Sequence, residues 1–452
     1  MIALTPECGL VFILKLAIAM SPAWSRRVLI TGATKGGIGF EAARQLLSQG
    51  HHVVLTLRDR AKAKEAVETL VQELVVNSGQ SEVQARERVQ WVKLDLLSFA
   101  SVREAGAEIR QKFTSLDALL LNAGTVPSKP QPQFSEDGWE TTYQANHLSH
   151  FLLTHLLLPT LMASTAPGGA RVVVVSSELH ARGLGKIPAS PSYLHSFSLK
   201  SESATHRTES ATSRQDQKEG AVGQEPFFTP LQIYALSKLY NLWFAFKFSS
   251  MCAEAGLPIT VDTVTPGFVP ASNLGRSGLS WWVRIAWSLI MPRLPFAVTL
   301  QVGAKRLADV VAGRQALEEQ QQQQQPAPGT SNLQKAATLH TNPFDKGLKD
   351  QSLGSDINEA NGPSSDELVH PVIGTNHNAA TSSRGDGEEC ILLPRFGSGR
   401  YFSKGKPCPS SPDSCDLQRQ EELWMLSMKA TGLAGDASAY LPSSARLPAL
   451  VE

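Results

Sequence analysis

Residues 27–50 read RVLITGATKGGIGFEAARQLLSQG, and the order of residue types within them decides the fold. The near-continuous apolar run at its start reads as a strand buried on both faces. A glycine-rich turn containing Gly32, Gly37 and Gly39 follows, and the next segment carries apolar residues at helical spacing until Gly50 stops it. A strand that passes through glycines into a helix lets the backbone approach a pyrophosphate at the helix N-terminus, because no Cβ stands in the way.

The same alternation runs on. HHVVLTLR, VQWVKLDLL, LDALLLNAG, RVVVVSS and PITVDTVTPG read as the second to sixth strands, with RERVQ and the helix SVREAGAEIRQKF among the connections. Short apolar runs alternating with helical patterns describe an α/β, doubly wound parallel sheet, the Rossmann fold. At 452 residues the chain exceeds one ordinary domain, but its composition is uneven. Residues 1–26 form an apolar N-terminal segment, and residues 27–317 form the main domain with a polar insertion at about 196–225. Residues 318–390 open with a glutamine run and read as a low-complexity disordered insertion. Residues 391–452 bring a short strand in GSGRYFS and a helix in EELWMLSMKATGL that complete the domain, which is therefore single but interrupted.

A net charge of +1 argues against nucleic acid as a partner. The five cysteines are scattered and contain no CxxC pair, so they indicate neither a disulfide framework nor a metal site, and they fit a reducing compartment. The N-terminal apolar stretch is interrupted by Glu7 and Lys15 and followed by Arg26 and Arg27. It reads as a membrane anchor that leaves the catalytic domain facing the cytosol, as an organelle-targeting peptide, or as a helix lying on the domain.

Four motifs carry the chemistry: TGATKGGIG at 31–39, Asn122-Ala123-Gly124 after the fourth strand, a serine ending the fifth, and YALSK at 234–238. Tyr234 and Lys238 stand one helical turn apart, so both side chains project from one face. A lysine cation there favours ionisation of a phenol that could exchange a proton with a carbonyl oxygen. Together these motifs resemble the short-chain dehydrogenase/reductase family over about residues 27–313 plus the C-terminal strand and helix. The loop departs from the family pattern by one extra glycine, Gly36 or Gly37, and the gap from Ser177 to Tyr234 is longer than the family's.

The resemblance implies Ser177, Tyr234, Lys238 and Asn146 as catalytic residues, with Ser177 rather than Ser176 at the substrate oxygen and Asn146 holding a water near the lysine. For the cofactor it implies Gly32, Lys35, Gly37, Ile38 and Gly39 in the first loop, Asp95 and Leu96 at the adenine, and Asn122, Ala123 and Gly124 beside it. Tyr234, Lys238, Pro266 and Gly267 complete the set. The family's acidic position at the end of the second strand is Leu57 here and Arg58 follows, which together with Lys35 implies NADP(H); Asp59 keeps NAD as the alternative.

TLRDRAKAKEA, ANHLSHFLLTHLLLP and VSSELHARG are similar to the retinol-dehydrogenase-like branch and imply a small lipophilic carbonyl or alcohol as substrate. PGFVPASNLGRSG is similar to light-dependent protochlorophyllide reductases, although Phe268 stands where that group carries a cysteine. A non-catalytic NADP(H)-binding scaffold is the third reading. The tryptophans between Trp281 and Phe296 suit a substrate lid or a membrane-facing patch. The resemblance leaves two states open: a homo-oligomer built through the helix that bears Tyr234, as is common in the family, or a chain whose insertions and apolar lid block that packing.

Overall fold

The computed structural model describes residues 24–129, 131–182, 189–195, 229–272, 274, 290–313 and 398–433. The apolar segment up to residue 23, the polar insertion at 196–225, the low-complexity stretch at 318–390 and Trp281, Trp282 and Trp287 lie outside them.

Strand β1 (Arg27–Thr31) leads into helix α1 (Ile38–Ser48), followed by β2 (His52–Leu57), α2 (Arg60–Ser78), α3 (Glu82–Arg88) and β3 (Val89–Lys93). Then come α4 (Phe99–Lys112), β4 (Ala118–Leu121), α5 (Ser149–Met162), β5 (Ala170–Val175), α6 (Pro230–Glu254), β6 (Ile259–Val264) and α7 (Leu300–Ala312). The chain ends its described part with β7 (Tyr401–Ser403), β8 (Lys406–Pro407) and α8 (Leu417–Ala430). The sheet order is β3-β2-β1-β4-β5-β6-β7-β8, parallel throughout except for β8. Strand order reverses between β1, which pairs with β2 on one side, and β4 on the other. That switch point opens a crevice beyond the carboxyl ends of the strands.

Alternate residues of each strand feed two helical layers, because successive side chains of a strand point to opposite faces. Val28 and Ile30 of β1 and Val173 and Val175 of β5 join the layer of α1, α2 and α7. Leu29, Val172 and Val174 join the opposite layer of α4, α5 and α6. Helix α2 is absent from the sequence reading, although Asp59 caps its start by accepting from the Lys62 amide at 3.0 Å and Gly79 ends it in a left-handed conformation. Its buried positions are mostly alanine and valine set among charges, a weak apolar signal.

The C-terminal segment adds β7 and β8 to the sheet beyond β6. Thr263 and Val264 of β6 pair with Tyr401 and Phe402 of β7. Asp262 holds both Arg171 of β5 and Arg400, at 3.1 and 3.2 Å, and so anchors the returning chain in a buried ion triad. Trp424 of α8 packs against Phe151 of α5 and Phe244 and Phe248 of α6. Among the described residues, Cys252 and Cys408 are free thiols. Among the described residues, no helix is long and apolar enough to cross a membrane.

Gly169 makes the tightest backbone approach ahead of β5. Its φ is +73°, and a Cβ there would lie 2.0 Å from the Pro258 carbonyl oxygen, which accepts from the Ala170 amide. Neither neighbour can move without breaking the β5–β6 ladder. Gly169→Ala is expected to cost about 3 kcal/mol or more, read as a lower urea midpoint with an unchanged slope.

Candidate active site

The glycine loop crosses the β1/β4 switch point in close contact with the segment that follows β4. A Cβ on Gly32, whose φ is +70°, would meet Ala123 Cβ at 2.8 Å, and one on Gly39 would meet Asn122 Nδ2 at 2.5 Å. The extra residue of the loop is absorbed at Gly36, which takes the left-handed conformation at φ +80°. The Gly37 amide donates to Thr34 O at 2.9 Å to close the turn, and Gly37 itself is the extended N-cap of α1. Helix α1 thus starts at Ile38 with no side-chain cap at its N-terminus.

A cleft of about 590 Å³ runs over the ends of β1 to β4, lined among others by Gly32, Thr34, Leu57, Arg58, Asp95, Leu96, Ala123 and Gly124. Arg58 is exposed at its rim, 3.9 Å from Asp95, and Lys35 pairs with Glu65 at 3.2 Å across the exposed surface. Asp95 also accepts from the Leu97 amide at 3.0 Å. Asp59, the acid that kept NAD open in the sequence, has its carboxylate on the α2 N-cap, where the Lys62 amide holds its pKa below the usual range. Lys35, Gly37, Ile38, Gly39 and Asn122 stand behind or beside the cleft wall rather than lining it. Pro266 and Gly267 follow β6 and do not line this cleft; the Pro266 carbonyl accepts from Arg306 at 2.9 Å.

Helix α6 carries the other half of the site. Thr229 and Gln232 form a capping box and Pro230 occupies the first turn, so the helix begins sharply and presents Tyr234 and Lys238 one turn apart. Tyr234 faces Ser177, which ends the strand segment leading out of β5 and whose hydroxyl acts to lower the phenol's pKa. Ser176 points the other way and donates to the Lys238 carbonyl at 2.9 Å, so the pleat places Ser177 on the site side. Lys238 Nζ donates to Val175 O at 3.0 Å and lies 5.5 Å from the centre of the Tyr234 ring. Asn241, another turn along and not singled out in the sequence, donates to the same carbonyl at 3.1 Å.

The electrostatics differ from the simple expectation of a lysine-lowered phenol. Burial raises the Tyr234 pKa against the opposing Ser177 hydrogen bond, and burial pushes Lys238 down to about 8. The ammonium faces the ring and a carbonyl, so desolvation dominates both groups. The two halves of the site meet at Gly124, where a Cβ would come within 3.4 Å of Lys238 Nζ and 3.3 Å of Asn146 Oδ1.

Asn146 lies in a π-helical turn, Gln144–Leu148, that precedes α5. Its carboxamide oxygen accepts from the Thr125 amide at 2.7 Å, and its nitrogen donates to Thr125 O at 2.9 Å and to Ser237 Oγ at 3.0 Å. The residue therefore ties the segment after Gly124 to the helix between Tyr234 and Lys238. His147 and His150 are both buried in the interior.

Residues 26–193 match the family model of the short chain dehydrogenases. Mouse retinol dehydrogenase 14 is 35% identical over 56% of this chain and 63% of its own length. Human polyprenol dehydrogenase is 30% identical over 60% of this chain and 68% of its own. The WW domain-containing oxidoreductase of Drosophila melanogaster is 32% identical over 62% of this chain, which spans little more than half, 56%, of that relative. The chain belongs to the short-chain dehydrogenase/reductase family, and its relatives include proteins of the retinol-dehydrogenase-like branch.

Proposed function

We propose that the protein is an NADP(H)-dependent oxidoreductase that transfers a hydride between the nicotinamide and a small lipophilic carbonyl or alcohol of the retinal/retinol type. The observation that carries this reading is the grouping of Ser177, Tyr234 and Lys238, with Lys238 reaching Gly124 at the edge of the cleft. The chain fits the cofactor because Gly32 lines the cleft without a side chain and α1 begins just beyond it with no side-chain cap on its N-terminus. Gly32, Lys35, Gly37, Ile38 and Gly39 would hold the pyrophosphate, Asp95 and Leu96 the adenine, and Asn122, Ala123 and Gly124 the adjoining floor. Lys238 and Tyr234 would hold the nicotinamide ribose, with Pro266 and Gly267 beside the ring. Arg58 and Lys35 supply cations for the additional ribose phosphate of NADP(H), with Leu57 where an acid would repel it.

When bound, the cofactor supplies the hydride. Tyr234 supplies the proton to the carbonyl oxygen, because its phenol stays protonated in this buried setting, and Ser177 shares a hydrogen bond with that oxygen and orients it. In the alcohol-oxidising direction the same phenol oxygen takes the proton back, and Lys238 stabilises the phenolate electrostatically. The lipophilic substrate is supported by the names of two relatives, retinol dehydrogenase 14 and polyprenol dehydrogenase. Exposed Leu274, Ile290 and Phe296 flank the tryptophan-rich stretch, which supports a membrane-facing role for the 281–296 region alongside the N-terminal segment, with the catalytic domain on the cytosolic side.

The test is NADPH consumption by the purified full chain with retinal, steroid and aliphatic carbonyls. Turnover with apolar aldehydes supports the reading, while NADPH binding without turnover of any carbonyl favours a scaffold. For cofactor choice, Arg58→Asp is expected to raise the Kd for NADPH about tenfold while leaving that for NADH within about twofold, since one charge-assisted contact is removed. Equal effects on both cofactors would show that Arg58 does not read the phosphate.

A further inference from the structure

His150 is the polar side chain of the site region that the proposed chemistry leaves unused, yet it is buried to 2% exposure and bonded at both ring nitrogens. Nδ1 lies 3.2 Å from the Asn146 carbonyl oxygen, and Nε2 lies 3.0 Å from Thr31 Oγ1. A carbonyl can only accept, so Nδ1 carries the proton. Burial, with Lys238 nearby, lowers the ring pKa to about 3, so the imidazole is neutral and Nε2 accepts the Thr31 hydroxyl proton.

That assignment fixes the rest of the network. With its proton committed to His150, Thr31 Oγ1 accepts from the Asn122 and Ala123 amides at 2.9 and 3.0 Å. These two residues form the floor against which Gly32 and Gly39 are packed. On the other side, Asn146 donates to Ser237 Oγ, and Ser237 donates to the Tyr234 carbonyl at 2.7 Å. A continuous path of hydrogen bonds thus joins the end of β1, the residues after β4, the π-turn and α6.

We infer that His150 is a positioning residue that couples the floor of the cofactor cleft to the helix bearing Tyr234 and Lys238. The inference rests on the functional reading above for its kinetic consequence. A phenylalanine or leucine would fill the same core space, whereas a histidine buried without a task carries a desolvation cost that its two hydrogen bonds only offset.

The two nitrogens can be separated. The amide of asparagine reaches as far as Nδ1 and that of glutamine as far as Nε2, so His150→Asn keeps a donor for Asn146 O and loses Thr31, while His150→Gln does the reverse. His150→Asn is expected to raise the Kd for NADPH about tenfold with kcat within about threefold, as one buried hydroxyl loses its partner. His150→Gln is expected to lower kcat about tenfold with the Kd for NADPH and the KM for the carbonyl within about twofold, as the Asn146 end is released. Combining His150→Asn with Thr31→Val should weaken NADPH no further than Thr31→Val alone, because both act along one path. Variants that melt earlier yet keep Kd and kcat within twofold, or that lose both equally, overturn the inference in favour of plain core packing. If the wild-type chain binds NADPH without turning over a carbonyl, the functional reading fails alone and the affinity measurements decide the coupling. A chain that binds no nicotinamide cofactor overturns both.

Discussion

Tyr234→Phe is expected to lower carbonyl turnover by about 10²–10⁴-fold while the Kd for NADPH stays within about twofold. The substitution removes one oxygen and leaves the ring, so the 5.5 Å ring contact with the Lys238 ammonium survives. Ser177 loses a partner but remains partly exposed to water, so the loss of stability is small. What disappears is the proton that must reach the carbonyl oxygen as hydride reaches the carbon. Stopped-flow NADPH oxidation separates chemistry from binding. A variant retaining more than a tenth of wild-type turnover would remove Tyr234 from the proton-transfer step and shift attention to Ser177 or water.

Lys238→Met combines a loss and a gain. Turnover should fall at least about 100-fold, because the cation that stabilises a phenolate is gone. Stability should rise below pH 8. The folded pKa of Lys238 is about 8 against 10.5 for an unburied lysine, so the unfolded chain binds the proton more tightly than the folded one. Below pH 8 both states hold the proton and the cost of burying it is complete; from 8 to 10.5 the cost fades as pH rises. The shift corresponds to about 3 kcal/mol, less about 1 kcal/mol for the lost hydrogen bond to Val175 O. That carbonyl still accepts from Asn241, so it is not orphaned in the variant. Urea titrations should therefore show the variant about 2 kcal/mol more stable at pH 7, with the gap closing towards pH 10.5. A gap that stays constant from pH 7 to 10.5 would mean that Lys238 titrates normally in the folded protein. The pairing of catalytic loss with stability gain is the expected signature of a charge kept in the interior for function.

The readable part of the site was local in the chain. The strand, glycine loop and helix of residues 27–50, the Tyr234–Lys238 spacing and the returning C-terminal strand each occupy one short segment whose periodicity or spacing encodes its geometry. Other assignments needed the third dimension. Asp59 is adjacent to Arg58 and kept NAD as the alternative in the sequence, but the start of α2 claims its carboxylate as a cap. Gly36 and Gly37 are interchangeable in a written sequence, and only the backbone shows that Gly36 takes the positive φ while Gly37 caps the helix.

By itself, the sequence determined that the chain builds a doubly wound parallel sheet and carries the motifs of the short-chain dehydrogenase/reductase family, because strand burial, helix caps and one-turn spacings are consequences of neighbouring residues. The tertiary structure alone decided that the buried lysine faces a ring and a carbonyl, with both its own pKa and that of the tyrosine governed by desolvation. It alone brought Thr31, Asn122, Asn146, His150 and Ser237 onto one hydrogen-bonded path. These groups come from four separate places in the chain, and the electrostatics of a buried group depend on everything that surrounds it in space rather than on its neighbours in sequence.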